Sequence, residues 1–158
     1  MKDYFNKTFP TALEQVKKLA EARKAITIEA AINAPVDKVW QYWSAPEHIK
    51  QWCSASSDWH VPHATNDLKA GGNFSTRMEA KDGSFGFDFG GIYDDVKTNE
   101  LIAYTMADGR KVTVSFTSDG NATKVVETFD PENQNPVEMQ RAGWQAILEN
   151  FKKHVEEN

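Results

Sequence analysis

Apolar and polar residues alternate without a break from Ile26 to Asn33. Ile26, Ile28, Ala30 and Ile32 fall on one side, and Thr27, Glu29, Ala31 and Asn33 on the other. This period of two predicts a half-buried strand over about residues 25–33. The period then changes. Pro35 presets the backbone for a first helical turn, and Val36, Val39, Trp40 and Trp43 follow at i, i+3, i+4 and i+7 as one apolar stripe. Ser44-Ala45-Pro46-Glu47 has the form of a capping box and restarts a helix whose buried side is Ile49 and Trp52. Two short helices are therefore expected over about residues 35–52.

From Asp58 onward strand signals dominate. Gly71-Gly72, Asp82-Gly83, Asp108-Gly109 and Asp119-Gly120 mark tight turns. Between them lie hairpin-length segments at Asn73–Ala80, Ser84–Tyr93, Leu101–Met106, Lys111–Thr117 and Thr123–Asp130. No segment between them is long enough for a helical crossover, so the pairing is antiparallel. Asn135-Pro136-Val137-Glu138 then opens a long helix running from Pro136 to the end, with Asn135 as its cap. Its apolar stripe is Val137, Trp144, Ile147, Leu148, Phe151 and Val155. Gly143 interrupts it at a cost of roughly 1 kcal/mol relative to alanine. That glycine reads either as tight helix–sheet packing or as room for a ligand beside Trp144.

The layout is α+β. One long helix must cover the apolar face of a whole antiparallel sheet, and such a sheet has to curl around it. Space between the two is the usual consequence. Alternation gives the inward faces: Phe74, Thr76 and Met78; Phe85, Phe87 and Phe89; Ile102, Tyr104 and Met106; Val112, Val114 and Phe116. A bulge at Gly90-Gly91 is expected to shift the register of the later part of its strand. Glu127 is the anomaly. In one frame Val125, Glu127 and Phe129 point inward, which leaves a carboxylate among apolar neighbours and raises its pKa. In the other frame Val126 points inward and Glu127 is solvated.

Residues 1–24 differ from the rest and read as an extension to a single domain spanning 25–158. Thr11-Ala12-Leu13-Glu14 forms a capping box for a short amphipathic helix with Leu13, Val16 and Ala20 on one side. A surface helix, an added leader, a lid and a dimerisation arm all fit it.

Composition narrows the function classes. The net charge is -5 and no basic run stands out, which argues against nucleic acid and anionic membrane surfaces as partners. The single cysteine, Cys53, fits a reducing cytoplasm, and no stretch is apolar enough for a membrane span or signal peptide. Cys53, Asp58, His60 and His63 match no strong zinc spacing, and Pro62 argues against a helical histidine pair. A cysteine–histidine nucleophile lacks an orienting residue, and neither glycine pair has the spacing of a phosphate loop. No metal, cofactor or catalytic residue is expected.

Ala34-Pro35-Val36-Asp37-Lys38-Val39-Trp40 followed by Pro46-Glu47-His48-Ile49-Lys50-Gln51-Trp52 resembles the opening of the START/Bet v 1-like (SRPBCC) superfamily. The branch it resembles is the one related to the C-terminal domain of the Hsp90 ATPase activator Aha1. Asp67-Leu68-Lys69-Ala70-Gly71-Gly72-Asn73-Phe74, Gly91-Ile92-Tyr93 and Gly143-Trp144 continue the pattern in order, so that it covers about residues 25–156. The resemblance implies a helix-grip fold, a curved antiparallel sheet around the C-terminal helix with two small helices closing one end. It also implies a hydrophobic ligand held between sheet and helix.

Three functions follow, in descending order of support. The first is binding of a hydrophobic or aromatic small molecule. Trp40, Trp59, Phe74, Met78, Phe87, Tyr104, Phe116, Trp144 and Leu148 are its expected lining, and Glu127 its polar anchor. The second is a co-chaperone-like interaction module with a chaperone partner. The third is a pocket enzyme of the cyclase or hydrolase type, for which the sequence offers only Glu127 with His60, Asp88 or Tyr104 as loose helpers. A monomer or weak dimer is expected.

Overall fold

A computed structural model describes residues 24–54 and 57–158; the expected helix in residues 1–24 lies almost wholly outside the described residues. Among the described residues the chain runs β1 (Ile26–Ile32), α1 (Val36–Ser44), α2 (Pro46–Trp52), β2 (Trp59–Asn66), β3 (Asn73–Ala80), β4 (Gly86–Lys97), β5 (Leu101–Met106), β6 (Lys111–Asp119), β7 (Ala122–Phe129) and α3 (Val137–Glu157). The strands form one sheet in the order β1-β7-β6-β5-β4-β3-β2, antiparallel throughout. Six strands from β2 to β7 are successive hairpins, and β1 closes onto β7 across most of the chain. The sheet curls as a half-barrel around α3, the α+β arrangement expected from the layout and the helix grip that the resemblance implies.

The strand β2 was absent from the segments delimited by alternation. It carries Pro62 and an irregular register between His60 and His63, features that edge strands tolerate because one side has no ladder to maintain. The expected bulge at Gly90-Gly91 lies elsewhere: the register shift on β4 falls between Tyr93 and Asp95. The two glycines instead permit close approach of neighbouring strands. A Cβ on Gly90 would sit 2.6 Å from the Phe74 carbonyl oxygen, and one on Gly91 would collide with that of Thr105. Turn glycines Gly71, Gly83, Gly109 and Gly120 all have positive φ, as the turn signals require.

Neither expected side-chain cap forms. The second helix starts from Ala45 without one, and the Ser44 hydroxyl instead donates to the Trp40 carbonyl oxygen at 2.7 Å. At α3 the cap position is Pro136, and the Asn135 amide instead donates to Glu132 Oε2 at 2.6 Å.

The core lies between the sheet and the helices. Ile32, Val39, Val114, Val125, Phe129, Phe151 and Val155 are wholly buried. A polar clamp fixes α1 and α2 on the sheet. Asn66 Nδ2 donates to the Ser44 carbonyl at 2.6 Å, the Tyr93 hydroxyl donates to Asn66 Oδ1, and Trp52 Nε1 donates to the Tyr42 carbonyl at 2.9 Å. Asn150 on α3 donates to the Ser54 carbonyl, which ties the long helix to the end of α2. The floor of the space between sheet and helix is thereby held at several points.

Candidate functional site

A cavity of about 290 Å³ lies between the sheet and the N-terminal half of α3. That volume is just below the ~300–1,000 Å³ typical of small-molecule sites. Strand alternation builds its sheet wall: Phe74, Thr76 and Met78 from β3, Phe87, Phe89 and Tyr93 from β4, Ile102 and Tyr104 from β5, and Glu127 from β7. Register puts these on one face, since Met78 pairs with Phe87, Thr76 with Phe89, and Tyr93 with Tyr104. Trp43, Ile49, Trp52 and Cys53 close one end, and Gln140, Trp144 and Ile147 form the helix wall.

The rings interlock. Phe74 meets Tyr104 edge-on at 4.8 Å, Phe89 meets Trp144 edge-on at 6.0 Å, and Trp144 stacks on Phe129 at 3.8 Å and 8°. The opposite rim is polar. Arg110 and Glu132 line it, with the Arg110 guanidinium Nε bound to Asp108 at 2.8 Å. Gln140 Nε2 donates to the carbonyls of Glu132 (3.0 Å) and Asn135 (2.8 Å), and Glu132 accepts the backbone N–H groups of Gln134 and Asn135, both at 2.7 Å. Those hydrogen bonds, the Asn135 backbone N–H first, hold the Glu132 carboxyl below its usual range.

Glu127 occupies the inward frame. It is 6 % exposed between Val125 and Phe129, and it pairs across the sheet with Ile28 and Val114. Burial raises its pKa from the ordinary 4.5 to about 8, and no hydrogen bond to its carboxyl forms among the described residues. At neutral pH it is mainly the uncharged acid. The pKa values of two other buried protic groups are raised by Glu127 in its ionised form. The Cys53 thiol is pushed up to about 12, by burial first and then by Glu127. The Tyr104 hydroxyl is raised well above its ordinary value by burial and then by Glu127. Such a thiol is inert as a nucleophile at neutral pH.

Of the residues expected to line a pocket, Phe74, Met78, Phe87, Tyr104, Glu127 and Trp144 stand together on this cavity. Trp40, Trp59, Phe116 and Leu148 stand outside its lining. Trp40 and Phe116 pack edge-to-face at 5.2 Å under α1, where the helix stripe seals the sheet. Trp59 is at the start of the edge strand β2 and meets Phe85 and Phe87 at 6.0 Å each. Leu148 is 1 % exposed in the dry half of the α3 contact. Phe85 departs from its expected inward face and is 60 % exposed, because β4 begins only at Gly86.

Several lining residues went unnamed. Thr76, Phe89 and Ile102 were already on the inward faces, so alternation alone sufficed to find them. Arg110 and Glu132 come from a turn and a loop, where no period exists to read.

The family described as Activator of Hsp90 ATPase homolog 1-like protein matches residues 33–156. The chain belongs to that family. Its solved relatives agree with the fold. The solution structure of an AHSA1-like protein from Aeromonas hydrophila is 46% identical, covers 85% of this chain and 93% of its own, and superimposes with a TM-score of 0.80. A Cytophaga hutchinsonii protein is 60% identical over 84% of this chain and 92% of its own, with a TM-score of 0.74. A crystal structure from Nitrosomonas europaea, at 18% identity, 86% and 96% coverage and a TM-score of 0.75, shares the fold. No curated protein matches. Among the described residues no helix is long and apolar enough to cross a membrane.

Proposed function

We propose that the protein binds a small apolar or aromatic molecule between the sheet and the N-terminal half of α3. The observation that carries this reading is a cavity of about 290 Å³ walled by interlocked rings, with a buried carboxyl at Glu127 that has no hydrogen-bond partner among the described residues. A carboxyl removed from water without a protein partner costs stability, and a ligand atom that satisfies it recovers part of that cost. The apolar walls supply the bulk of the affinity and Glu127 the orientation.

The test is thermal unfolding in the presence of two- and three-ring aromatic compounds. A ligand that binds only the folded state, at a hundredfold excess over its Kd, stabilises by about 2.7 kcal/mol. Ile147→Trp, which fills the cavity from the helix side, is expected to abolish that stabilisation while keeping a cooperative melt. No stabilisation by any compound, or equal stabilisation of the filled variant, contradicts the proposal.

The family description favours a second reading, a module that engages a chaperone through its surface. Exposed Phe85, Ile92 and Met139 are the apolar side chains such a surface offers. An Hsp90 ATPase rate unchanged by the protein removes it.

A further inference from the structure

We propose that the ligand of this cavity is an uncharged molecule carrying an acceptor oxygen, a ketone or similar carbonyl on an aromatic body, which receives hydrogen bonds from the Glu127 carboxyl and the Tyr104 hydroxyl. This rests on the reading of the cavity as a ligand site and names the chemistry it selects.

A buried hydroxyl on Thr76 lines the cavity, and three titratable side chains stand with it. Glu127 from β7, Tyr104 from β5 and Cys53 from the end of α2 all line the cavity, all are deeply buried, and each bears a proton at neutral pH. No hydrogen bond to any of these three side chains forms among the described residues, although Glu127 acts electrostatically on both of the others. Each group carries a donor proton that no protein acceptor among the described residues takes. A buried donor left unmade costs free energy, so a ligand that supplies one acceptor atom gains what the empty protein forgoes.

Charge selects against the alternatives. The remaining titratable groups facing the cavity are Tyr93 from β4, whose hydroxyl is already committed to Asn66, and Arg110 and Glu132 at the rim. Arg110 precedes the first residue of β6, four residues before Val114, the β6 partner of Glu127. Its guanidinium is also bound to Asp108 at 2.8 Å. Among the described residues the one cation on the cavity wall is Arg110, which acts on Tyr104 from the rim but is already paired with Asp108, so a carboxylate ligand beside Glu127 meets no free cation. An ammonium ligand needs Glu127 ionised, and its burial, which puts its pKa near 8, opposes that at neutral pH. An uncharged acceptor meets neither cost. A protonated carboxylic acid beside a tyrosine hydroxyl is a known arrangement for polarising a carbonyl oxygen.

The experiment compares four probes of one shape by calorimetry: acetylnaphthalene, naphthylethylammonium, naphthoate and ethylnaphthalene. The ketone is expected to bind most tightly at pH 7, and about tenfold more weakly at pH 9, since ionised Glu127 no longer donates. In Glu127→Gln the affinity for the ketone is expected to stay level across that interval, because an amide donates at either pH. Tyr104→Phe is expected to weaken the ketone about threefold to tenfold and to leave ethylnaphthalene at its own affinity. Far-UV circular dichroism verifies that each variant is folded.

Preference for the ammonium, with affinity rising above pH 8, overturns the assignment and leaves the cavity as a ligand site. So does equal binding of the hydrocarbon and the ketone. If none of the four binds, the assignment and the ligand-site reading fall together.

Discussion

The two halves of α3 meet the same sheet in different ways. From Leu148 to Val155 the contact is dry: Leu148, Phe151 and Val155 are 1 % exposed or less, and Phe151 is boxed edge-on by Trp43 at 4.8 Å and Trp52 at 4.9 Å. From Gln140 to Ile147 the helix stands off, and rings from β3, β4 and β5 face it across a gap. Side-chain choice makes the difference. The C-terminal half places Leu148, Phe151 and Val155 in the same buried core as Val39 and Ile32, whereas the N-terminal half offers one large ring, Trp144, which stacks against Phe129. A single helix thus serves as core element at one end and as cavity wall at the other.

Substitutions along the helix measure that contrast. Phe151→Ala removes a fully buried ring from the dry half and is expected to cost about 3–5 kcal/mol in denaturant unfolding. A cost under about 1 kcal/mol breaks the comparison. The next effect is pH-dependent. Folded Glu127 keeps its proton up to about pH 8, whereas the unfolded chain releases it near 4.5, so this group's contribution is fully present below pH 4.5 and lost as pH rises to 8. At ~1.4 kcal/mol per pH unit, the shift from 4.5 to about 8 makes the loss about 5 kcal/mol, taken as an upper bound for a group in contact with a cavity. Glu127→Gln is therefore expected to be more stable than the wild type at pH 8, with the advantage shrinking toward pH 4.5; parallel stability–pH curves contradict it.

Smaller changes sharpen the picture. Ile147→Ala, already facing the void, is expected to cost about 2 kcal/mol or less, well under its counterpart at Phe151. Gly143 has open space where a Cβ would stand, so the tight-packing reading of this glycine fails. Gly143→Ala is accordingly expected to stabilise by about 0.5–1 kcal/mol through helix propensity, visible as a small rise in Tm.

Much of this was legible in the sequence because burial writes a period. The inward frame of β7 was one of two that the alternation allowed, and the burial of Thr123, Val125, Glu127 and Phe129 decides it. The segments Asn73–Ala80 and Leu101–Met106 match their strands to the residue. Edges and ends wrote no such signal. The strand β2 carries a proline and lost its period at the irregular register beside it. Trp40, Trp59, Phe116 and Leu148 share the apolar character of true lining residues, and only three-dimensional packing tells a filled end from a hollow one. The caps failed for a related reason: Ser44 and Asn135 found nearer partners, the Trp40 carbonyl and Glu132.

Side-chain methyl NMR with a two-ring aromatic ketone reads both halves of the helix at once. Signals of Met78, Ile102 and Ile147 are expected to move on titration while those of Val39, Leu148 and Val155 stay in place. Shifts confined to exposed Ile92 and Met139, or spread evenly over both halves, would contradict it.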